Sequence, residues 1–261
     1  MPTDPCPTAG PGPLSGQCVL VTRPEEQSQE LRDRLLAEGA EVLVQPAVTV
    51  SDPADWAAVD AALARLASYD WLVFSSSNGV RHLLARLAGL GRGAEALRGL
   101  RLAAIGPGTA AELARHGLRA DLVPPEYRAE ALVAALAPAA AGVRFLLARA
   151  SRGRQVLPDG LTAAGGLVDQ IVVYATHDVE RADPPVAAAL AAGHVDWVTV
   201  TSSAIARAVA GLLGGHLRQA KLASISPITS ETLRELGYQP AAEAREYTMA
   251  GLVAAIVANL G

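Results

Sequence analysis

Asp70-Trp71-Leu72-Val73-Phe74-Ser75-Ser76-Ser77 returns as Asp196-Trp197-Val198-Thr199-Val200-Thr201-Ser202-Ser203, 126 residues further on. Each copy is an acid, an indole, an apolar run of strand length and a cluster of hydroxyls. Other matches line up around this pair. Val21-Thr22-Arg23 answers Leu147-Ala148-Arg149, and Ile105-Gly106-Pro107-Gly108-Thr109 answers Ile225-Ser226-Pro227-Ile228-Thr229. Tyr127 with Leu132-Val133-Ala134-Ala135 answers Tyr247 with Leu252-Val253-Ala254-Ala255. Solenoid repeats are about 20–50 residues long, so a period of 120–126 residues has domain length instead. The chain reads as two similar domains, which facing one another would make a cleft lined by matching polar strand ends.

Composition agrees with two packed domains. Of 261 residues, 51% are hydrophobic, enough for real cores, and no run approaches the ~18 apolar residues of a membrane span. The start of the chain lacks the basic and apolar regions of a secretory signal. Residues 1–17, with Pro2, Pro5, Pro7, Pro11 and Pro13, are expected to form a disordered tail. A net charge of −4 argues against a nucleic-acid partner. Cys6 and Cys18 make neither a disulfide framework nor a metal site, so a reducing cytoplasm is the simplest compartment. Lys221 is the one lysine, beside 21 arginines, and precedes an apolar strand, a poor setting for Schiff-base chemistry.

Apolar β-rich runs alternate with helix-period runs, which is the pattern of a parallel α/β sheet. Strand 18–22 leads through Arg23-Pro24 into a helix over 25–38, and Gly39 ends it. The first copy continues with helix 54–67, strand 70–75, helix 77–88, strand 101–105, helix 108–116, a short strand near 121–123 and helix 128–137. The second copy has strand 143–148, a helix near 152–164 that Pro158 interrupts or restarts, helix 184–192 and strand 196–201. Helix 203–213, strand 221–225 and helices 229–236 and 248–259 complete it. Two extended runs, 41–50 and 167–176, hold equivalent places, and Pro46 would break a central strand. Two assemblies fit. In tandem, each copy folds alone with a boundary near 138–142. In exchange, the chain leaves the first domain after its opening βα unit, builds the second and returns, and the extended runs form a two-stranded connector. Local connectivity prefers the tandem form.

Ligands of parallel α/β sheets bind beyond the carboxyl ends of the strands. The residues there are Arg23, Ser75-Ser76-Ser77-Asn78, Thr109, Arg149, Thr201-Ser202-Ser203 and Thr229. Their hydroxyls, together with helix N-terminal N–H groups, suit anions. The same residue types are the ordinary helix N-caps, so each one alone reads equally as a cap. Their recurrence at matched places on both copies favours binding for the set. Arg23 and Arg149 end matched strands and suit carboxylates, or are plain solvated arginines. Gly106-Pro107-Gly108-Thr109 lacks both G-x-G-x-x-G and a Walker-type lysine, which disfavours a nucleotide. His82, His116, His177, His194 and His216 are scattered without metal or triad spacing, and read as surface or helix-end residues. Tyr174 is the one aromatic in either extended run. It serves either as packing or as a phenol projecting toward ligand.

Taken in order, Val21-Thr22-Arg23-Pro24, Trp71–Val80, Ala104–Ala110, Val173-Tyr174 and the weaker second copies resemble the uroporphyrinogen-III synthase family over residues 18–259. The resemblance implies the exchanged assembly of two flavodoxin-like domains, 18–43 plus 178–261 and 50–168, with 44–49 and 169–177 as connecting strands in a two-stranded β-ladder. It implies an enzyme that uses no cofactor, in agreement with the missing nucleotide and metal motifs, and that closes hydroxymethylbilane, a linear tetrapyrrole with eight carboxylates, inverting its last ring through a spiro intermediate. A monomer is the default reading, since no exposed apolar stripe stands out. The family's tyrosine falls on Tyr174, to which a role in the departure of the substrate hydroxyl is assigned. Its hydroxyls fall on Thr109, Thr201 and Thr229, with Ser75 the repeat partner of Thr201. One departure from the family is the second Gly-Pro turn, here Ser226-Pro227-Ile228-Thr229-Ser230. Two rivals stand beside this expectation: a non-catalytic tetrapyrrole-binding or regulatory protein, and a transferase acting on a nucleotide sugar.

Overall fold

The computed structural model describes residues 12–260. In chain order the elements are β1 (Cys18–Val21), α1 (Gln29–Ala37), β2 (Glu41–Val44), β3 (Val48–Ser51), α2 (Ala57–Ala64), β4 (Trp71–Phe74), α3 (Ser77–Gly89), β5 (Arg101–Ala104), α4 (Pro107–Arg115) and α5 (Ala129–Leu136). Then follow β6 (Arg144–Ala150), α6 (Val156–Ala163), β7 (Leu167–Asp178), α7 (Pro184–Ala191), β8 (Trp197–Val200), α8 (Ser203–Leu213), β9 (Lys221–Ser224), α9 (Pro227–Glu235), β10 (Pro240–Glu243) and α10 (Met249–Val257).

The chain divides into two compact units. The first runs up to Thr49 and resumes at His177; the second is Val50–Thr176. The tandem arrangement therefore does not form. The β1-α1-β2 segment pairs with the distant β8 rather than with β4, because parallel pairing joins Val19, Leu20 and Val21 to Trp197, Val198 and Thr199. The first sheet runs β2-β1-β8-β9-β10 and the second β3-β7-β6-β4-β5, with a parallel bridge from Ala103 to Leu122 beside β5. In the first unit the order is that of flavodoxin-like sheets, 2-1-3-4-5. The second has the same neighbours, but its β6-α6-β7 segment comes last in the chain.

Strands buried on both faces explain the near-continuous apolar runs. All four residues of β1, β4 and β8 are buried. In the first unit Leu20, Val198 and Leu222 pack with α7, α8 and α9 on one face; Val19, Val21 and Trp197 pack with α1 and α10 on the other. In the second, Leu72, Phe74 and Leu146 face α2, α3 and α4, while Val73, Phe145 and Leu147 face α5 and α6. The Asp-Trp pair that opens each repeated strand has a structural purpose. The Asp70 carboxylate accepts the N–H of Arg144 and the Asp196 carboxylate that of Cys18, each at 2.8 Å, which fixes the register of the neighbouring strand. Each indole is covered by a cation from the next strand, Arg101 over Trp71 at 4.6 Å and Lys221 over Trp197 at 5.3 Å. Such contacts are worth about 0.5–1 kcal/mol at exposed sites.

Several expectations need correction. Residues 1–11 of the expected tail lie outside the described residues. Residues 12–17 are ordered: Leu14 is fully buried against α1 and α10, and its N–H donates to the Glu38 carbonyl at 2.8 Å. The helix expected over 25–38 begins with a 3₁₀ turn at Glu25–Gln27, and α6 starts only at Val156, so that Pro158 sits in its first turn where no N–H is missed. Residues 169–174, expected in a connecting strand, pair with β6 inside the second sheet. β10 was not expected. It is an edge strand that opens on Pro240, a place where a missing N–H costs no ladder bond.

Candidate functional site

Because the sheets are parallel, helices α3 and α4 start directly from the carboxyl ends of β4 and β5, and α8 and α9 from those of β8 and β9, while α10 follows β10 after a longer turn. Each unit thus gathers helix N-termini along one sheet edge. Their unsatisfied N–H groups and dipoles favour anions there.

In the second unit this edge carries Ser75, Ser76, Ser77, Asn78, Thr109, Arg149 and Tyr174. Ser76 is the N-cap of α3: its Oγ accepts the N–H of Gly79 at 3.0 Å. The same oxygen lies 2.9 Å from the Tyr174 hydroxyl. Tyr174, on β7, is 8% exposed. Burial pushes its phenol above the ordinary value, against smaller downward pulls from the Ser76 hydrogen bond and the Arg149 charge. The phenol is therefore neutral at any physiological pH and can donate a proton. Its ring stacks on His82 of α3, with centroids 5.5 Å apart and planes inclined by 22°. His82 in turn bonds through Nδ1 to Asp52 Oδ1 at 3.1 Å. Arg149 leaves β6 half-buried and is held by Gln170 Oε1 at 2.5 Å and by the carbonyls of Gly153 and Ala150 at 3.1 and 3.3 Å. Ser75, Ser77 and Asn78 are partly buried at the α3 turn, and Thr109 is buried in the first turn of α4.

In the first unit the edge carries Arg23, Thr201, Ser202, Ser203 and Thr229. Ser202 caps α8 by accepting from Ile205 N–H at 3.2 Å. Ser203 Oγ is engaged by Thr232 Oγ1 of α9 at 2.9 Å. Thr229, 2% exposed, lies with its hydroxyl 3.0 Å from Ser226 Oγ. Ser226 is itself the N-cap of α9, accepting from Thr229 N–H at 3.4 Å. The departure at this turn thus exchanges the side-chain-free Gly106 of α4 for a residue that caps with its own hydroxyl. Thr201 is partly buried at the end of β8. Arg23 reaches the start of α10, with Nη1 2.9 Å from Met249 Sδ and Nη2 3.3 Å from Gln27 Oε1. A guanidinium beside a helix N-terminus makes an electropositive corner.

Ser76 and Ser202 are thus helix caps as well as strand-end hydroxyls, and the structure joins Tyr174 to Ser76, with the Arg149 charge near enough to act on the phenol. Sequence reasoning missed His82 and Asp52. His82 was expected on a helix surface, and nothing in its neighbours signals an aromatic partner on a strand. It also missed the α10 cap, Thr248, which accepts from Gly251 N–H at 3.0 Å; a threonine just before an apolar helix was the available signal. Among the described residues no group of three His, Cys, Asp or Glu is placed to hold a metal ion, and no helix is long and apolar enough to cross a membrane.

These features define a class: an α/β protein of two flavodoxin-like units whose strand edges carry hydroxyls, arginines and helix N-termini suited to a polyanionic ligand. The comparisons narrow it. A family model described as Uroporphyrinogen-III synthase HemD matches residues 29–254. A uroporphyrinogen-III synthase of Synechococcus elongatus is 33% identical over 94% of this chain and 96% of its own length. Another, from Chlorobaculum parvum, is 28% identical over 84% of this chain and 89% of its own. Among solved structures, a mutant uroporphyrinogen III synthase of Thermus thermophilus superposes with a TM-score of 0.66 at 18% identity, covering 94% of this chain and 98% of that one. The Helicobacter pylori uroporphyrinogen-III synthetase gives 0.62 at 16% identity, covering 93% and 99%. The chain belongs to the uroporphyrinogen-III synthase family.

Proposed function

We propose that the chain acts as a uroporphyrinogen-III synthase, a dehydrating cyclase of tetrapyrrole biosynthesis that converts hydroxymethylbilane into uroporphyrinogen III without a cofactor. The observation that carries the chemistry is the hydrogen bond between the buried Tyr174 phenol and the partly buried Ser76 hydroxyl, 2.9 Å apart at a carboxyl sheet edge, in a chain that the family model spans from residue 29 to 254.

The substrate hydroxyl leaves with its electron pair and the Tyr174 proton, as water, and the pyrrole nitrogen supplies the electrons that form the azafulvene. The last ring attacks this electrophile through its substituted carbon. The spiro intermediate fragments and recloses inverted, and the proton finally lost by the ring returns to the phenolate. Ser76 can donate to the phenolate while it exists, since its hydroxyl hydrogen is not used by the Gly79 N–H. The competing reaction is spontaneous closure without inversion, and a hundredfold preference requires about 2.7 kcal/mol between barriers. Orientation of the flexible substrate is the lever. Arg149, Ser75, Ser77, Asn78 and Thr109 on one unit, and Arg23, Thr201, Ser202, Ser203 and Thr229 on the other, are the proposed carboxylate ligands. Each charge-assisted hydrogen bond contributes about 1.5–3 kcal/mol.

The test is incubation with freshly prepared hydroxymethylbilane, oxidation and chromatographic separation of the porphyrin isomers. Isomer III above a no-enzyme control is expected. Isomer I alone, at the spontaneous rate and from folded protein, rejects the activity and leaves a tetrapyrrole-binding protein. The reading includes a monomer working in the cytoplasm. Size-exclusion chromatography and cell fractionation check it.

A further inference from the structure

Tyr174 is the only group proposed above to handle a proton, and two side chains of one helix hold it. Ser76 engages the hydroxyl at 2.9 Å. His82, in the second turn of α3, covers the face of the ring. The imidazole is itself fixed from a third segment. Asp52, just past the end of β3, accepts at 3.1 Å from His82 Nδ1, and a carboxylate can only accept, so Nδ1 carries the hydrogen. All four residues belong to the second unit. The helix that carries Ser76 and His82 cannot drift, because Val80, Leu83, Leu84 and Leu87 are buried in the core. A Cβ on Gly79 would stand 3.2 Å from the Ala148 carbonyl oxygen, so α3 lies close against β6.

We infer that His82, oriented by Asp52, is a positioning residue: its imidazole stack restrains the Tyr174 ring so that the phenol meets the departing hydroxyl. The inference rests on the proton-donor reading of Tyr174. Without the imidazole, one face of a ring that is otherwise buried opens, and the hydroxyl keeps only Ser76 to hold it in place. Misplacement of a reacting group by about 1 Å costs about 100-fold in rate. A residue that acts only through the Tyr174 ring changes the chemical step and not substrate affinity, so the loss falls on kcat and not on KM.

Four proteins test this in the isomer assay: wild type, His82→Ala, Tyr174→Phe and the double variant. His82→Ala is expected to lower kcat by about 10- to 100-fold with KM within about twofold, and the double variant to be no slower than Tyr174→Phe, because His82 has nothing left to position. His82→Phe keeps a stacking ring and is expected to recover most of the lost kcat. Asp52→Ala, at an exposed position, guards against a His82 variant that fails to fold; it should give a smaller fall that also vanishes in the Tyr174→Phe background. Wild-type kcat in folded His82→Ala, or a full further loss in the double variant, overturns the inference while leaving Tyr174 in its role. Wild-type turnover by Tyr174→Phe would sink the proton-donor reading itself, and the positioning role with it.

Discussion

Tyr174→Phe separates chemistry from architecture at this site. The substitution keeps the ring, its burial and its stack on His82, and removes one oxygen whose partner is Ser76 Oγ, 2.9 Å away. Ser76 still accepts the Gly79 N–H and still caps α3. The stability cost is therefore that of a single neutral hydrogen bond, about 0.5–1.5 kcal/mol. For a chain of this size that lowers Tm by roughly 2–4 °C per kcal/mol. A domain with about 5 kcal/mol or more of stability stays folded at 25 °C after such a loss, so unfolding cannot imitate a catalytic defect. Removal of a general acid lowers turnover by about 10²- to 10⁴-fold, equivalent to about 2.7–5.5 kcal/mol of barrier. Catalysis and stability are thus predicted to change by clearly different amounts. The assay is the initial rate of isomer III formation from hydroxymethylbilane, with thermal unfolding measured on the same preparation. A kcat within about threefold of wild type in a folded variant, well short of the loss expected for a general acid, would refute the proton-donor reasoning.

Three further outcomes are expected. Arg149→Ala removes a guanidinium at the sheet edge and should raise KM about tenfold or more, the value of one charge-assisted contact, with little change in Tm, since its two shorter hydrogen bonds are solvent-exposed; an unaltered KM removes Arg149 from the binding set. Thr229→Val keeps shape but loses the hydroxyl beside Ser226 Oγ; KM should rise while α9 keeps its Ser226 cap, and an unchanged KM shows that the hydroxyl serves packing alone. Burial, and then a 2.6 Å hydrogen bond to Asp169, push the Tyr69 phenol up to about 12. The unfolded chain ionises this phenol near 10, whereas the folded chain keeps its proton, so stability should fall as pH rises from about 10 to about 12. In chemical denaturation Tyr69→Phe should be less stable than wild type at neutral pH, and the gap should narrow over that interval; a constant gap would show that the phenol is not shifted.

What is local in this protein was legible before folding. The strand at Trp71–Phe74 and the helix after it, like Trp197–Val200 and its helix, announce themselves as a short apolar run, a hydroxyl cap and a 3.6-residue period. Each signal lies within one turn or one strand of the structure it specifies. The edge strand at Pro240 escaped, because a short Ala-containing run opening on proline carries little β propensity, and pairing with β9 alone makes it a strand. Leu14 lay inside a Pro- and Gly-rich stretch that composition marks as unstructured, yet its buried side chain and backbone bonds to Glu38 and from Glu41 to Gln17 tie residues 12–17 to the first unit.

The candidate site divides in the same way. Strand-end hydroxyls and arginines were readable, because in a parallel sheet every strand-to-helix turn lies at the carboxyl edge whatever the topology. Which of them cap helices depends on one hydrogen bond each, as at Ser76 and Ser202. Topology itself was beyond the residues alone, since connections are usually local, and the family resemblance had to supply the exchange that pairs β1 with β8. Sequence by itself thus determined two α/β units, their parallel sheets and the hydroxyl-rich edges, because propensity, period and capping act over a few residues. Tertiary structure alone decided that Tyr174 meets Ser76, 98 positions away in the chain, and that His82 and Asp52 join them. Those contacts arise only where β7, α3 and the end of β3 are packed into one unit, and no short-range preference of any of the four residues encodes them.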